Sequence, residues 1–149
     1  NAKSITRPVV ADKRLPFAIN PRQLKWISKE FSKTMRACVD TLLFYVHVTS
    51  AVSDQFFPSL LGKKDEIEDA FRYSDSVFVI DDSTFILLGF ASDRDGADVV
   101  YDKITYCVEN YVHRDAVVHI GLAVIPEEGK SFYDVIAAAK RKIRTFKRR

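Results

Sequence analysis

Residues 72–89 read RYSDSVFVIDDSTFILLG, and this stretch decides the fold. Two apolar runs, residues 77–80 and 85–88, flank the polar residues 81–84. β-branched and aromatic residues favour strands, and Asp and Ser between them favour a turn, so the stretch predicts a β-hairpin. A tight turn presents its side chains and backbone amides at one end of a sheet, where sites are often built.

The chain on either side of this hairpin predicts alternating helices and strands. Asn20-Pro21 indicates a helix start, because Asn caps the first turn and Pro fits the first helical position. Apolar spacing and β-forming residues predict the other elements. They are helices over 20–38, 65–72 and 97–112, strands over 41–49 and 116–125, and a last helix with the apolar stripe Phe132, Val135, Ile136, Ala139, Ile143 and Phe146. This order predicts an α+β fold with a ferredoxin-like or palm βαββαβ core, in which helices pack on one face of an antiparallel sheet.

Length and composition indicate one packed domain. The chain has 149 residues and is 47% hydrophobic, which suffices for one core but not for two comfortable domains. Residues 1–19 show no periodicity, so we assign them to an extended lead-in or linker and residues 20–149 to the domain. The chain opens with Asn1-Ala2 and lacks an initiator Met, as expected for an excised domain with a cloning scar.

The cysteines and the absence of targeting patterns bear on the compartment. No apolar run approaches about 20 residues, and no signal-peptide pattern opens the chain. Cys38 and Cys107 lie in apolar helical patterns, so buried free thiols of a reducing cytosol are favoured over a disulfide or metal site. We therefore expect a cytoplasmic domain, or the cytoplasmic part of a larger, membrane-anchored protein.

Positive charge is concentrated at the end of the chain. The net charge is +3, and seven of the last ten residues are Lys or Arg. The rest is mildly acidic, so no nucleic-acid-binding surface over the whole fold is expected. We interpret the basic run as a solvated helix face that leads into a next domain; contact with nucleic acid or anionic lipid is the alternative.

Three segments together resemble GGDEF domains, the bacterial diguanylate cyclases. Residues 118–129, VHIGLAVIPEEG, resemble the "SIG-A-x-x-P-x-x-G" strand and turn of that family, and residues 135–147 resemble its last helix. Residues 72–85 resemble "R-x-x-D-x-x-x-x-x-GGDEF". The resemblance spans residues 20–147 and implies a nucleotide-cyclase-like fold and a role in bacterial signal transduction.

The motif that names the family is degenerate here. Its five positions are held by Asp81, Asp82, Ser83, Thr84 and Phe85, and only Phe85, a core residue, matches. In the family, the two glycines let the hairpin backbone approach the nucleotide. Asp81 and Asp82 instead add Cβ atoms and negative charges, which a triphosphate would meet as like charges.

The carboxylates that hold metal in the family are also replaced. They stand at the third motif position and at the end of the first strand, which align with Ser83 and His47 here. Ser is a poor sole anchor for Mg²⁺, and imidazole is a softer ligand than Mg²⁺ prefers. Compared with the family, about seven residues are missing between the first strand and Arg72, in the stretch that normally carries the Asn and Asp that read the guanine base. We therefore expect no working diguanylate cyclase, no metal site and no resident cofactor.

The positive hypothesis concerns Arg72 and Asp75. In the family, this Arg-x-x-Asp spacing marks the inhibitory site that binds cyclic di-GMP. A guanidinium can donate bidentately to the O6/N7 edge of guanine, and a carboxylate can accept from its N1 and N2 hydrogens. The alternative is that both residues only end a helix and cap a loop. Ala139 and Lys147 are retained from the family's last helix, and Lys147, a phosphate contact there, is assigned here to the basic terminal helix.

Four polar residues near the hairpin have a structural and a functional interpretation. For Asp81 and Asp82 we favour a turn in which Asp side chains accept backbone N–H bonds over a cation site. His119 takes the place of a strand Ser in the family and is expected near His47 on a neighbouring strand. Structural roles are favoured for both histidines over catalytic or metal-binding roles.

The resemblance and its departures predict a regulatory GGDEF-like domain that does no chemistry. Reception of cyclic di-GMP through Arg72 and Asp75 is the specific expectation. The alternatives are a protein-interaction or dimerisation module that binds no nucleotide, and an enzyme with altered nucleotide chemistry. Expected partners are other domains of the parent signalling protein, a second copy of the chain and cyclic di-GMP, without nucleic acid or membrane insertion.

Overall fold

Five antiparallel strands form the main sheet of the computed structural model, which describes residues 10–11, 13–37, 41–50, 59–71, 75–90 and 96–147. In chain order the elements are β1 (Val10–Ala11), β2 (Ala18–Ile19), α1 (Pro21–Arg36), β3 (Thr41–Ser50), a 3-10 helix (Leu61–Lys63), α2 (Lys64–Ala70), β4 (Asp75–Asp81), β5 (Thr84–Phe90), α3 (Ala97–Tyr111), β6 (Ala116–Ile125), α4 (Phe132–Arg141) and β7 (Arg144–Lys147). The order in the sheet is β4-β5-β3-β6-β7, and β1 pairs separately with β2. No helix in these ranges is long and apolar enough to cross a bilayer.

Strand β3 lies at the centre of the sheet because its residues are apolar on both faces. Successive side chains of a strand point to opposite faces. Leu42, Phe44 and Val46 therefore share one face, and Leu43 and Tyr45 the other, and none of the five is more than 5% exposed. The predicted buried central strand is confirmed.

Helices cover both faces of the sheet, so the prediction that they pack on one face is wrong. On the face of Leu42 and Phe44 lie α2 and α3, which contribute Ile67 and Ile104. On the opposite face lie α1 and α4, and Ile27 of α1 is among the residues buried there. A strand that is apolar on both faces needs cover on both, because burial contributes about 25 cal/mol per Å² of apolar surface. The predicted α+β fold with its βαββαβ core, from β3 to β6, is confirmed.

Part of the predicted lead-in packs on the face of the sheet that α1 and α4 cover. Leu15 and Phe17 are both buried there, and the Phe17 ring centroid lies 6.0 Å from that of Tyr45. Helix α1 then begins as predicted, since the Asn20 side chain accepts the N–H of Arg22 at 2.8 Å. Residues 13–19 thus contribute to the core of the molecule.

The last helix is shorter than predicted. Helix α4 ends at Arg141, the N–H of Lys142 donates to the carbonyl oxygen of Ala139 at 3.0 Å, and the chain turns into β7. The predicted helical stripe through Phe146 is therefore wrong. The Phe146 ring lies 5.4 Å from the ring of Tyr101, on the α3 face rather than the α4 face. The helical spacing of apolar residues continues past the end of α4 to Ile143 and Phe146. It therefore did not distinguish the short strand β7 from a longer helix.

Gly121 lets α4 lie directly on β6. A Cβ atom at this position would stand 2.0 Å from the carbonyl oxygen of Ala139, far inside van der Waals contact. Only glycine permits this approach without displacement of the helix. The close contact therefore fixes the distance between α4 and β6.

Candidate functional site at the hairpin tip

Two aspartates hold the tip between β4 and β5. An Asp81 carboxylate oxygen accepts the N–H of Ser83 at 2.8 Å. An Asp82 carboxylate oxygen accepts the N–H of Leu61 at 3.3 Å, and the Asp82 carbonyl oxygen accepts the N–H of Leu60 at 3.1 Å. The predicted turn in which Asp side chains accept backbone N–H bonds is confirmed. Both carboxylates already have partners in the fold.

The tip is also joined to the end of β3. The carbonyl oxygen of Ser83 accepts the N–H of Val48 at 2.8 Å. Thr84 is only 2% exposed, and its Oγ1 lies 3.3 Å from Nδ1 of His47. Phe85 is fully buried, as expected of a core residue. Ser83 and Thr84, at the third and fourth motif positions, are therefore hydrogen-bonded to β3.

A row of polar residues crosses all five strands of the sheet at this end. Asp81 pairs with Thr84, Thr84 with His47, His47 with His119, and His119 with Thr145. Directly paired residues of antiparallel strands share a face. The His47 and His119 rings lie 6.1 Å apart at an interplanar angle of 34°, so the predicted proximity of the two histidines is confirmed. Sequence reasoning missed Thr145, because it assigned this residue to a helix.

Threonine hydroxyls flank the His119 ring. Its Nε2 lies 3.1 Å from Oγ1 of Thr49, and its Nδ1 lies 3.0 Å from Oγ1 of Thr145. A hydroxyl can donate to one ring nitrogen or accept from the other, so a neutral imidazole is satisfied here. Burial, and then the nearby His47, lower the pKa of His119. The fold therefore favours a neutral His119 ring held between two hydroxyl groups.

The negative charge of the row comes from Asp81. Burial raises the pKa of Tyr45, and the Asp81 carboxylate raises it further. In the described part of the chain, no three His, Cys, Asp or Glu side chains lie close enough together to hold a metal ion. The row can bind and release a proton at His119, and its one carboxylate, that of Asp81, already accepts a backbone N–H.

Other residues of interest are described in part or not at all. Arg72 and Cys38 lie outside the described residues. Asp75 begins β4 and Lys147 ends β7, so Lys147 is not on the helix to which it was assigned; neither side chain is described. Cys107 is a buried free thiol, as predicted, and burial raises its pKa to about 11.

Solved structures of GGDEF domains share this architecture. The FimX GGDEF domain from Pseudomonas aeruginosa matches 88% of this chain and 89% of its own, with a TM-score of 0.60 and 19% identity. A DGC protein from Thermotoga maritima matches 89% of this chain and 100% of its own, with a TM-score of 0.59 and 14% identity. An EAL/GGDEF domain protein from M. capsulatus matches 81% and 88%, with a TM-score of 0.57 and 21% identity. This chain has the GGDEF-domain fold.

The GGDEF-like architecture inferred from three sequence segments is therefore confirmed. No protein-family model matches the sequence, and no curated protein matches it either. At identities of 14–21%, the structural matches establish the fold alone. A fold alone does not determine function, which depends on the residues of the site.

Proposed function

We propose that this GGDEF-like domain makes no cyclic dinucleotide and acts as a regulatory domain of a bacterial signalling protein that receives cyclic di-GMP. One observation carries the first half of the proposal. The carboxylates of Asp81 and Asp82 occupy the two glycine positions of the resembled motif, and each accepts a backbone N–H that organises the tip. In the family, the backbone of this hairpin meets the nucleotide. Here the side chains at the same two positions accept hydrogen bonds from the backbone of this chain.

Electrostatics oppose a triphosphate at this tip. Each pair of like unit charges at 4 Å costs about 1 kcal/mol in bulk water and about 4 kcal/mol at the effective dielectric constant near a protein surface. Asp81 and Asp82 each bring such a charge. The Leu61 and Ser83 N–H groups, which could have met phosphate oxygens, donate to these carboxylates instead.

At the two positions that align with the family's metal-binding carboxylates, this chain has Ser83 and His47. Phosphoryl transfer of this class relies on carboxylate-held divalent metal near the transferring group. His47 lies beside Thr84 and His119, and Ser83 contributes its carbonyl oxygen to β3. Neutral imidazole and hydroxyl groups do not provide the hard, charged oxygen ligands that Mg²⁺ prefers.

The receptor half of the proposal rests on Arg72 and Asp75. Asp75 and Asp81 are the two ends of the seven-residue strand β4. At a rise of about 3.3 Å per residue, they stand roughly 20 Å apart, so a ligand site at Arg72 and Asp75 would not depend on the tip. Loss of chemistry at one end of β4 is therefore compatible with ligand binding at the other.

Isothermal titration with cyclic di-GMP tests reception. We expect micromolar binding that Arg72→Ala abolishes and Arg72→Lys does not restore, because Lys keeps the charge but cannot bind guanine bidentately. Arg114→Ala, at an exposed turn before β6, is the matched control and should bind normally. Absence of heat from the wild-type chain at high ligand concentration would refute reception and favour a module that binds no nucleotide.

A turnover assay with GTP and Mg²⁺ tests the absence of chemistry separately. We expect no cyclic product beyond the enzyme-free control. Product formation that depends on the chain and survives repurification would overturn the argument from Asp81, Asp82 and His47. Because the two assays use different residues, either half of the proposal can fail alone.

A further inference from the structure

A groove runs along the outer edge of β4, between α1 and α2. Its two sections have volumes of about 510 and 250 Å³, and Trp26 lines both of them. Trp26 is 55% exposed, and its ring meets that of Phe78 nearly at a right angle, with 5.3 Å between the centroids. A large exposed indole in a groove is typical of a binding surface, because Trp buries much area on association.

The two sections of the groove carry opposite charges. Arg22 and Lys64 line the larger section, and Glu30 and Glu68 line the smaller one. On α1, the order along the helix is Arg22, Trp26 and Glu30, and residues four apart share a helix face. On α2, the order is Lys64 and then Glu68. Both helices therefore present positive charge at one end of the groove and negative charge at the other.

The edge of the main sheet forms the floor of the groove. Among the residues that the structure describes, β4 pairs in this sheet with β5 alone. The Gln23 side-chain N–H donates to the carbonyl oxygen of Val79 at 2.7 Å, so the backbone polar groups of Val79 point away from β5. Those of Val77, two residues earlier, point the same way because the pattern alternates. Val77 lines the smaller, acidic section with Glu30 and Glu68, and by this alternation its N–H and C=O point away from β5, towards the edge of the sheet.

We propose that this groove binds the same groove of a second copy of the chain, about a two-fold axis near Trp26 and normal to the sheet. Such an axis reverses the direction of β4 but keeps each face, so α1 meets α1 and α2 meets α2, each antiparallel. Arg22 then faces Glu30 of the second copy, and Lys64 faces Glu68. Each contact occurs twice, as an isologous interface requires.

Charge complementarity selects a second copy over an unrelated strand. The groove has two cations and two carboxylates in an arrangement that a two-fold rotation exchanges. The existing pair between Lys64 and Glu68 is long, at 3.9 Å, and both side chains are about half exposed. Glu30 pairs with Lys33 on its own helix at 3.1 Å, and the Lys33 side chain is more than half exposed. Exposed pairs of this kind contribute little within one chain, so these charges can exchange partners in a dimer. An unrelated strand would need the same charge order by chance.

Paired charge reversals test the interface by sedimentation and light scattering from micromolar to millimolar concentration. The acidic variant carries Arg22→Glu and Lys64→Glu, and the basic variant carries Glu30→Lys and Glu68→Lys. We expect the wild-type chain to dimerise and each variant to be monomeric. The dimer dissociation constant should rise roughly tenfold to a hundredfold, because four exposed ion pairs become repulsive. An equimolar mixture of the two variants should form a heterodimer.

A matched control separates the groove from net charge and from folding. Lys140→Glu with Arg141→Glu changes the net charge as much as the acidic variant does, on the exposed end of α4, and should leave the dimer intact. Circular dichroism establishes that each variant folds. A wild-type chain that stays monomeric at millimolar concentration, or variants that do not associate when mixed, would overturn the proposal. None of these changes touches Arg72 or Asp75, so cyclic di-GMP titration of the monomeric variants tests ligand binding apart from the dimer.

Discussion

Gly121→Ala tests how closely α4 lies on the sheet. The added Cβ would stand 2.0 Å from the carbonyl oxygen of Ala139 and 3.3 Å from a side-chain carbon of Ile143. Ordinary van der Waals contact begins near 3.4 Å, so α4 and β6 must separate by about 1.4 Å. Helix backbone cannot yield by a change of rotamer, and the whole helix has to move.

The displacement should cost more than a typical added methyl group. Overpacking of a core usually costs about 1–3 kcal/mol. Here Val135 and Ile136, both fully buried, move away from the sheet together with the helix. We expect a loss near the upper limit, about 3 kcal/mol, which corresponds to a fall of about 6–12 °C in melting temperature for a chain of this length.

Thermal and urea unfolding measure this loss against a matched glycine. Gly62→Ala adds the same methyl group, but its Cβ would meet mainly the Ser59 hydroxyl oxygen at 2.9 Å, and a hydroxyl can rotate away. This control should stay within about 0.5 kcal/mol of the wild type. If Gly121→Ala unfolds within about 1 kcal/mol of the control, the close approach of α4 to β6 is refuted.

Three further measurements test the strand β7, the histidine row and the buried thiol. Phe146→Ala should destabilise by about 1–3 kcal/mol in urea, because its ring packs on Tyr101, whereas Ile143→Ala should cost less than about 1 kcal/mol; equal losses would favour a continuous helix. The fold lowers the pKa of His119 below its ordinary 6.5, so the unfolded chain binds the proton more tightly and stability should fall as the pH drops below 6.5. His119→Gln should flatten this pH dependence of stability. An unchanged slope in the variant would show that His119 is not its source. In a Cys38→Ser chain, Cys107 should react with thiol reagents slowly when folded and rapidly in denaturant, because its pKa is about 11 and it is buried; rapid reaction of the folded chain would contradict its burial.

The central elements of the fold could be predicted because their sequence signals are local and strong. Strand β3 is a run of apolar β-formers, and the hairpin pairs two such runs across Asp82 and Ser83. The start of α1 follows from Asn20 and Pro21, whose capping chemistry lies within one turn. In these places each residue's preference agrees with its tertiary surroundings.

The errors arise where the deciding contacts are distant in sequence. Phe146 has helical spacing from Ile143, yet its ring belongs to the face where Tyr101 lies, forty-five positions earlier. Strand β3 carries apolar side chains on both of its faces. This pattern could have indicated helices on both sides of the sheet. The polar row could be predicted only at His47 and His119, since the place of Thr145 depends on the pairing of β7.

Strand β4 links the two proposals, because Asp75 begins it and Ser76 and Val77 line the acidic section of the groove. In the proposed dimer, Arg22 and Lys64 of the second copy would lie at that acidic section. Cyclic di-GMP carries two phosphate charges, so a ligand at Arg72 and Asp75 would approach these cations only in the dimer. The attraction acts within a screening length of about 8–10 Å, and it favours association over dissociation when ligand is bound. By linkage, dimerisation would then raise ligand affinity by the same factor. A degenerate hairpin tip would therefore leave a domain that reports ligand binding through the opposite end of the same strand.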